Sequence, residues 1–452
     1  MRDRPSGTKS HQLDPNARRI LERAELEGIE LIRFLYADHG GVIRGKAASR
    51  SRLAERLSTG IGHTVAMMAM NMLDQLQEVE QMGPVGEVRI VPDPATYVPL
   101  PHAPGAAAML SDLRLPDGSP WGACARTFLK DAIAELATEG YTLVAAFEPE
   151  FTLGRRLPDP SGHDRLVPLD DSLCYAGNGF DTAHDYTIKL IRALETQGLR
   201  VEHYHPELGP GQQELSIRHA PALRAADNHV LYRETVRGVA LRMQMWATLA
   251  PKPLADQAGN GAHLHLSLWR EAHNVFGEDG ETRDGFIGGL IAHLPALTAL
   301  TCGSVNSFRR ITPRTWAGAY TVYGPDNREA AVRVCSPLGE SGEANLELKP
   351  SDSSANPYLS LGAVIHAGLD GIRRKLDPGA PVDVDPDTRP GRYPRLPTSL
   401  DEALDALEAD EVLMEALGPL RRSAYLAVKR SEAAAFAAKD TAFELFHHLR
   451  VF

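Results

Sequence analysis

Side chains able to hold metal ions gather in four short blocks of this 452-residue chain: Glu148-Pro149-Glu150, Glu207 with Glu214, His263-Leu264-His265, and Glu347. Acids at alternate positions in Phe147-Glu148-Pro149-Glu150-Phe151 read as a strand, whose period of two puts Glu148 and Glu150 on one face. The run Ala262-His263-Leu264-His265-Leu266-Ser267-Leu268 alternates in the same way, predicting the leucines toward a core and the polar side chains toward a cavity. Five carboxylates converging on one cavity repel one another unless cations neutralise them. Oxygen-rich donors with a little imidazole suit Mg²⁺ or Mn²⁺, and an acidic cleft holding more than one such ion is suited to nucleotide phosphates. A single acid of this kind is ordinarily a solvated surface group, but Glu148 and Glu150 lie inside an apolar strand. Gly209-Pro210-Gly211, between two of the acids, predicts a tight turn with little side-chain bulk.

The remaining sequence must supply a frame for these groups. With 43% hydrophobic and 24% charged residues the chain reads as an ordinary soluble protein of two or more domains. A net charge of -11 argues against a nucleic-acid or anionic-membrane surface, which needs clustered Lys and Arg. Cys124, Cys174, Cys302 and Cys335 show no metal or disulfide spacing and read as buried reduced thiols. The polar stretch 1–16 has no apolar core of a leader peptide and reads as a disordered tail; a cytoplasmic location is expected by elimination. A helix over Ala17–Leu26 and a hairpin of Leu31–Tyr36 with Val42–Lys46 predict a small domain over 17–104, ending in the proline-rich connector Pro92–Pro104. Mixed strands and helices over 105–452 follow, the helices expected at Ala125–Glu139, His184–Gln197, Ala222–Leu249, Ser360–Arg374 and Leu400–Leu417.

Taken in order, these motifs resemble the glutamine synthetases and their γ-glutamyl-amide ligase relatives. The resemblance also rests on Ala37-Asp38-His39-Gly40 with Arg44-Gly45-Lys46, Val91-Pro92-Asp93-Pro94, Glu207 to Glu214, Gly259 to Ser267, Asn327-Arg328 with Arg333, and Asn356-Pro357-Tyr358-Leu359. It implies an α+β fold with an N-terminal β-grasp domain and a catalytic domain built on an antiparallel half-barrel. It also implies a homo-oligomer, a dodecamer of two hexameric rings in which a neighbour's small domain completes each site. The resemblance implies a first metal site at Glu150, Glu207 and Glu214 and a second at Glu148, His263 and Glu347. ATP would be contacted by Glu202, His265 and Ser267, its phosphates by Arg328 and Arg333, and glutamate by Gly259, Arg310 and Lys349.

Two departures from the family pattern concern the amine. Where glutamine synthetases carry a loop Glu that attracts ammonium, this chain has Trp316, and the stretch Gly60–Ala66, which should hold an ammonium-binding Asp, has no acid. Lys349 and Asn345 stand where the family has Arg, and Lys keeps the charge without the paired geometry. An indole holds an ammonium or aromatic amine through its π face, for about 0.5 to 2 kcal/mol. Two readings of Trp316 stand side by side: it lines a pocket for a larger amine, or it packs the loop while another acid serves the amine. His63 or a water is a candidate acceptor for the amine's proton. The expected activity is an ATP-dependent joining of glutamate to an organic amine, a polyamine being least favoured for want of acids. The alternatives are glutamine synthetase itself, using ammonia, and a non-catalytic ring protein, which would not need so many clustered carboxylates.

Overall fold

The computed structural model describes residues 15–160, 162–277, 280–337 and 344–452. Most of the predicted tail, 1–14, lies outside the described residues, and Pro15 and Asn16 already begin the first helix, Pro15–Leu26.

The first sheet contains β1 (Leu31–Ala37), β2 (Ile43–Ser49), β3 (Ile61–Thr64), β4 (Glu87–Pro92), β5 (Val98–Pro99) and β6 (Ala106–Arg114), with main order β2-β1-β6-β4-β3. The expected hairpin is present, Ala37 facing Ile43 across the turn. The strand after the proline-rich connector, β6, runs parallel to β1 at the centre of this sheet. The junction expected at 104 therefore falls inside the small sheet, because β6, buried along almost its whole length, fills the gap between β1 and β4. Ile32, Phe34, Met82, Val88, Ile90, Met109 and Trp121 form the core of this part.

The second sheet is organised around β7 (Thr142–Leu157). Around it lie β8 (Arg165–Pro168), β9 (Val201–Pro206), β10 (Gln212–Ile217), β11 (Ala220–Pro221), β12 (Trp246–Thr248), β13 (Ala262–Arg270), β14 (His273–Asn274), β15 (Tyr320–Pro325), β16 (Ala330–Cys335) and β17 (Asn345–Leu348). Its main order is β15-β16-β17-β13-β7-β10-β9, antiparallel except for β15 with β16. Leu264, Leu266 and Leu268 are buried in the main core, as the alternation predicted. Helices Ala125–Thr138, Glu281–Thr301 and Pro357–Arg374 contribute to this core.

Two expected helices are shorter or divided. The one read over Ala222–Leu249 stops at Arg242, Gln244 takes φ 57°, and Trp246–Thr248 pairs with β7. An aromatic and a β-branched residue are better used in an edge ladder than in a last helical turn. The helix read over Leu400–Leu417 is two, Leu400–Ala409 and Glu411–Leu417, because the Asp410 carboxylate caps the second by accepting from Leu413 N at 3.0 Å.

The turn Asp38-His39-Gly40-Gly41 joins the small sheet to the rest of the molecule. Asn356 Nδ2 donates to the carbonyls of Ala37 and Asp38 at 3.1 and 3.0 Å, Arg233 Nη2 to that of Gly41 at 2.9 Å, and Lys429 Nζ to that of Gly40 at 3.1 Å. A Cβ on Gly41 would lie 2.0 Å from the Ser354 carbonyl oxygen, so only glycine fits there.

Candidate active site

Strand register brings the predicted ligands together. Across β7 and β13, Glu148 faces His263; across β7 and β10, Glu150 faces Glu214. His265 faces Glu347 across β13 and β17, and Glu347 in turn faces Arg333 on β16. Glu207 follows β9 and enters the turn Glu207 to Gln212, where Gly211 takes φ 66° and a Cβ would lie 2.4 Å from the Leu153 carbonyl oxygen.

Two clusters result. In one, His263 Nδ1 lies 3.4 Å from Glu148 and 3.2 Å from Glu347, and His265 Nε2 lies 3.3 Å from Glu148. Against the effect of burial, hydrogen bonds and charge from His263 and His265 hold Glu148 well below the usual carboxylate range. Burial likewise opposes ionisation of Glu347, but Lys349 and then His263 and His265 bring it down to about 2. In the other cluster, burial first, then the charges of Glu214 and Glu207, push Glu150 up to about 8. An acid in that state keeps its proton near neutrality until positive charge arrives. That is the behaviour expected of a cation ligand before the cation binds, so the donor set fits a divalent ion. The Glu150 carboxylate is aimed by Gln212 Nε2 at 2.6 Å and the Gly261 amide at 3.1 Å.

His203 and His205 also enter the second cluster, and the sequence reading missed them. His205 Nε2 is 3.2 Å from Glu214 and its Nδ1 is 3.4 Å from Glu207; His203 Nε2 is 3.5 Å from Glu214 and hydrogen-bonds Ser216 Oγ at 3.0 Å. The signal was available: Glu202-His203-Tyr204-His205 has the same alternation that marked the other blocks.

The other predicted residues fall around these clusters. Glu202, His203, Ser216, His265 and Ser267 line a cavity of about 480 Å³ that reaches Glu148. Asn345 Oδ1 lies 2.8 Å from His265 Nδ1 and orients the ring. Arg333 Nη1 and Lys349 Nζ reach Glu347 at 3.2 and 2.8 Å. Lys349 is almost fully buried there, so its ammonium faces Glu347. Arg310 Nη2 donates to the Ser351 carbonyl at 3.0 Å, while its buried Nε has no hydrogen-bond partner among the described residues, which suits a ligand carboxylate. Gly259 packs against Arg310, where a Cβ would come within 2.8 Å of Arg310 Cγ. Arg328 is exposed on the turn between β15 and β16, near enough for its charge to act on Tyr175, whose ring packs edge-on against His205. Trp316 is 51% exposed on the loop after Arg310. His63 is buried and bonded to Tyr36 Oη at 2.8 Å.

Known proteins resemble this chain in sequence and fold. The family model described as the glutamine synthetase catalytic domain matches residues 122–448, and that of the glutamine synthetase N-terminal domain matches 15–121. The chain belongs to the glutamine synthetase family, whose members are ligases that bind a nucleotide and divalent metals. Among its relatives, the γ-glutamylpolyamine synthetase GlnA3 of Streptomyces coelicolor is 37% identical over 90% of both chains. The glutamine synthetase of Pyrococcus furiosus is 36% identical over 86% of this chain and 87% of its own. A solved GmaS complex with ADP superimposes with a TM-score of 0.83 at 31% identity, covering 94% of this chain and 97% of that one. No helix among the described residues is long and apolar enough to cross a membrane.

Proposed function

We propose that this protein joins glutamate to an organic amine in an ATP-dependent reaction that passes through γ-glutamyl phosphate. The observation that carries the reading is the pairing of two intact carboxylate clusters with Trp316 on the loop that should hold the ammonium-attracting acid. In this reading Glu150, Glu207 and Glu214 hold one ion and Glu148, His263 and Glu347 a second, Mg²⁺ or Mn²⁺. When bound, such ions cancel charge on the transferring phosphoryl group and align it. Arg310 and Gly259 seat glutamate with Lys349 behind them, and Glu202, His265, Ser267, Arg328 and Arg333 contact ATP.

Amide formation needs a deprotonated amine beside the activated carboxylate. A larger amine held by the Trp316 indole would be positioned by apolar and cation–π contact in place of a direct charge. The relatives named for polyamine and for glutamine synthesis leave the amine class to experiment. His63, bonded to Tyr36 through Nε2 with Nδ1 unpaired among the described residues, or a water takes the amine's proton in this reading. The assembly is read as a dodecamer of two hexameric rings in the cytoplasm.

Phosphate release from ATP in the presence of glutamate, screened over ammonium, polyamines, alkylamines and aromatic amines, tests the proposal. Faster turnover with an organic amine than with ammonium supports it. Preference for ammonium makes the protein a glutamine synthetase, and no turnover with any amine favours the non-catalytic reading.

A further inference from the structure

The loop from Thr312 to Gly318 is bracketed by two candidate glutamate contacts. Arg310 precedes it, with Thr315 Oγ1 donating to the Thr312 carbonyl at 2.7 Å and lying 3.3 Å from that of Arg310, and Gly318 packs so closely that a Cβ would lie 3.1 Å from Lys349 Cβ. Within the loop, Arg314 and Trp316 both adopt left-handed backbone, φ 59° and 56°. Bulky residues are uncommon in that region, and two of them two positions apart need outside support.

Glu329 provides it. One oxygen of its carboxylate accepts from the Arg314 amide at 3.0 Å and the other from the Trp316 amide at 2.8 Å. The two N–H groups form a small anion-binding concavity that a side chain of the same protein fills. Glu329 is itself fixed, since its amide donates to Asn327 Oδ1 at 3.0 Å and Asn327 Nδ2 donates to the carbonyls of Val382 and Val384 at 2.8 and 3.0 Å. On the solvent side, Arg314 Nε lies 3.1 Å from Asp385 and 3.3 Å from Asp387.

We propose that Glu329 is a positioning residue for the acceptor amine: it fastens the loop so that the Trp316 indole is held beside the glutamate contacts, and through that indole it sets amine affinity. This rests on the amine-ligase reading above. The acid expected at 316 has a counterpart here in a carboxylate that arrives from the adjoining turn and grips the loop backbone.

The test compares the full-length protein with E329A and E329Q. Trypsin cleavage at Arg314–Thr315 and hydrogen exchange at the Trp316 amide report the fastening without any need for activity. E329A should raise both rates about tenfold or more, with E329Q, which keeps one acceptor oxygen, in between. For the preferred amine, KM should rise while kcat and the KM for ATP stay near the parent values. Equal cleavage and exchange in all three proteins overturns the fastening. Faster cleavage with an unmoved amine KM overturns the link to affinity. Should E329A fail to fold, E329Q carries the same comparison. If no amine supports turnover, faster cleavage still upholds the fastening while the ligase reading falls.

Discussion

Glu150 and Glu214 oppose each other across the β7–β10 ladder, both nearly buried. Like charges directly opposed across strands are destabilising, so the pair calls for a shared proton, a bound cation or the charge of His203 and His205, which lie 3.5 and 3.2 Å from Glu214.

Removing either member should therefore cost more than a lost contact. Glu150→Ala and Glu214→Ala are expected to lower amide formation at saturating Mg²⁺ by more than about 100-fold, beyond the 10- to 100-fold effect of disturbing a ligand's partner. Glu150→Gln keeps the bulk but not the charge and should behave like the alanine variant. Turnover close to the parent value in any of these would remove the first ion from the scheme.

His263→Ala acts on the other cluster and should chiefly disturb nucleotide use. The KM for ATP and the Mg²⁺ concentration giving half-maximal rate should both rise, while the KM for glutamate changes little. Steady-state titrations of ATP and metal check this; an unaltered ATP dependence would contradict the division into two sites.

Trp316→Glu should raise activity with ammonium relative to bulky amines, only in part, because one exposed charge contributes modestly. Trp316→Ala should weaken the preferred amine by roughly 2- to 30-fold, the range corresponding to a lost cation–π contact. If kinetics show both variants with the parent's amine preference, Trp316 packs the loop and the case against ammonia loses its main support.

His293, packed among helices away from the site, lies 2.6 Å from Asp410 and 3.0 Å from Asp370. Burial alone would lower its pKa, but the hydrogen bonds and charges of Asp410 and Asp370 win and raise it above 6.5. The folded value is the higher one, so its stabilisation is complete below about pH 6.5 and is lost as pH rises through the folded value. His293→Gln should thus cost on the order of 1 kcal/mol at pH 6 and less at pH 9. Denaturant titrations at the two pH values read the difference, and a gap that widened with pH would contradict the assignment.

Much of the site was legible because strand alternation is local. Glu148 with Glu150, and His263 with His265 over a leucine face, declare their orientation within a few residues. Register across strands is not local, so the alternation over 202–205 could place His205 on the cavity face but not opposite Glu214. Glu329 was invisible for a related reason. Its partners are backbone amides 13 and 15 residues earlier, and a backbone N–H has no signature in sequence. The two misjudged helices show the same division. Asp410 is both a cap and a partner for His293, and the Trp246–Thr248 edge strand exists only because β7 lies beside it.

The turn at Ala37–Gly41 has carbonyls bonded to Asn356, Arg233 and Lys429, residues 192 to 389 positions away. Cutting the chain after the small sheet would strand those buried donors on one fragment and the matching acceptors on the other, at about 1–3 kcal/mol for each group left unmet. The small sheet is therefore not a detachable module. Neither piece should be recoverable alone, chimaeras exchanging it with a relative should need the whole set of partners to travel together, and heating should give one calorimetric transition for both sheets.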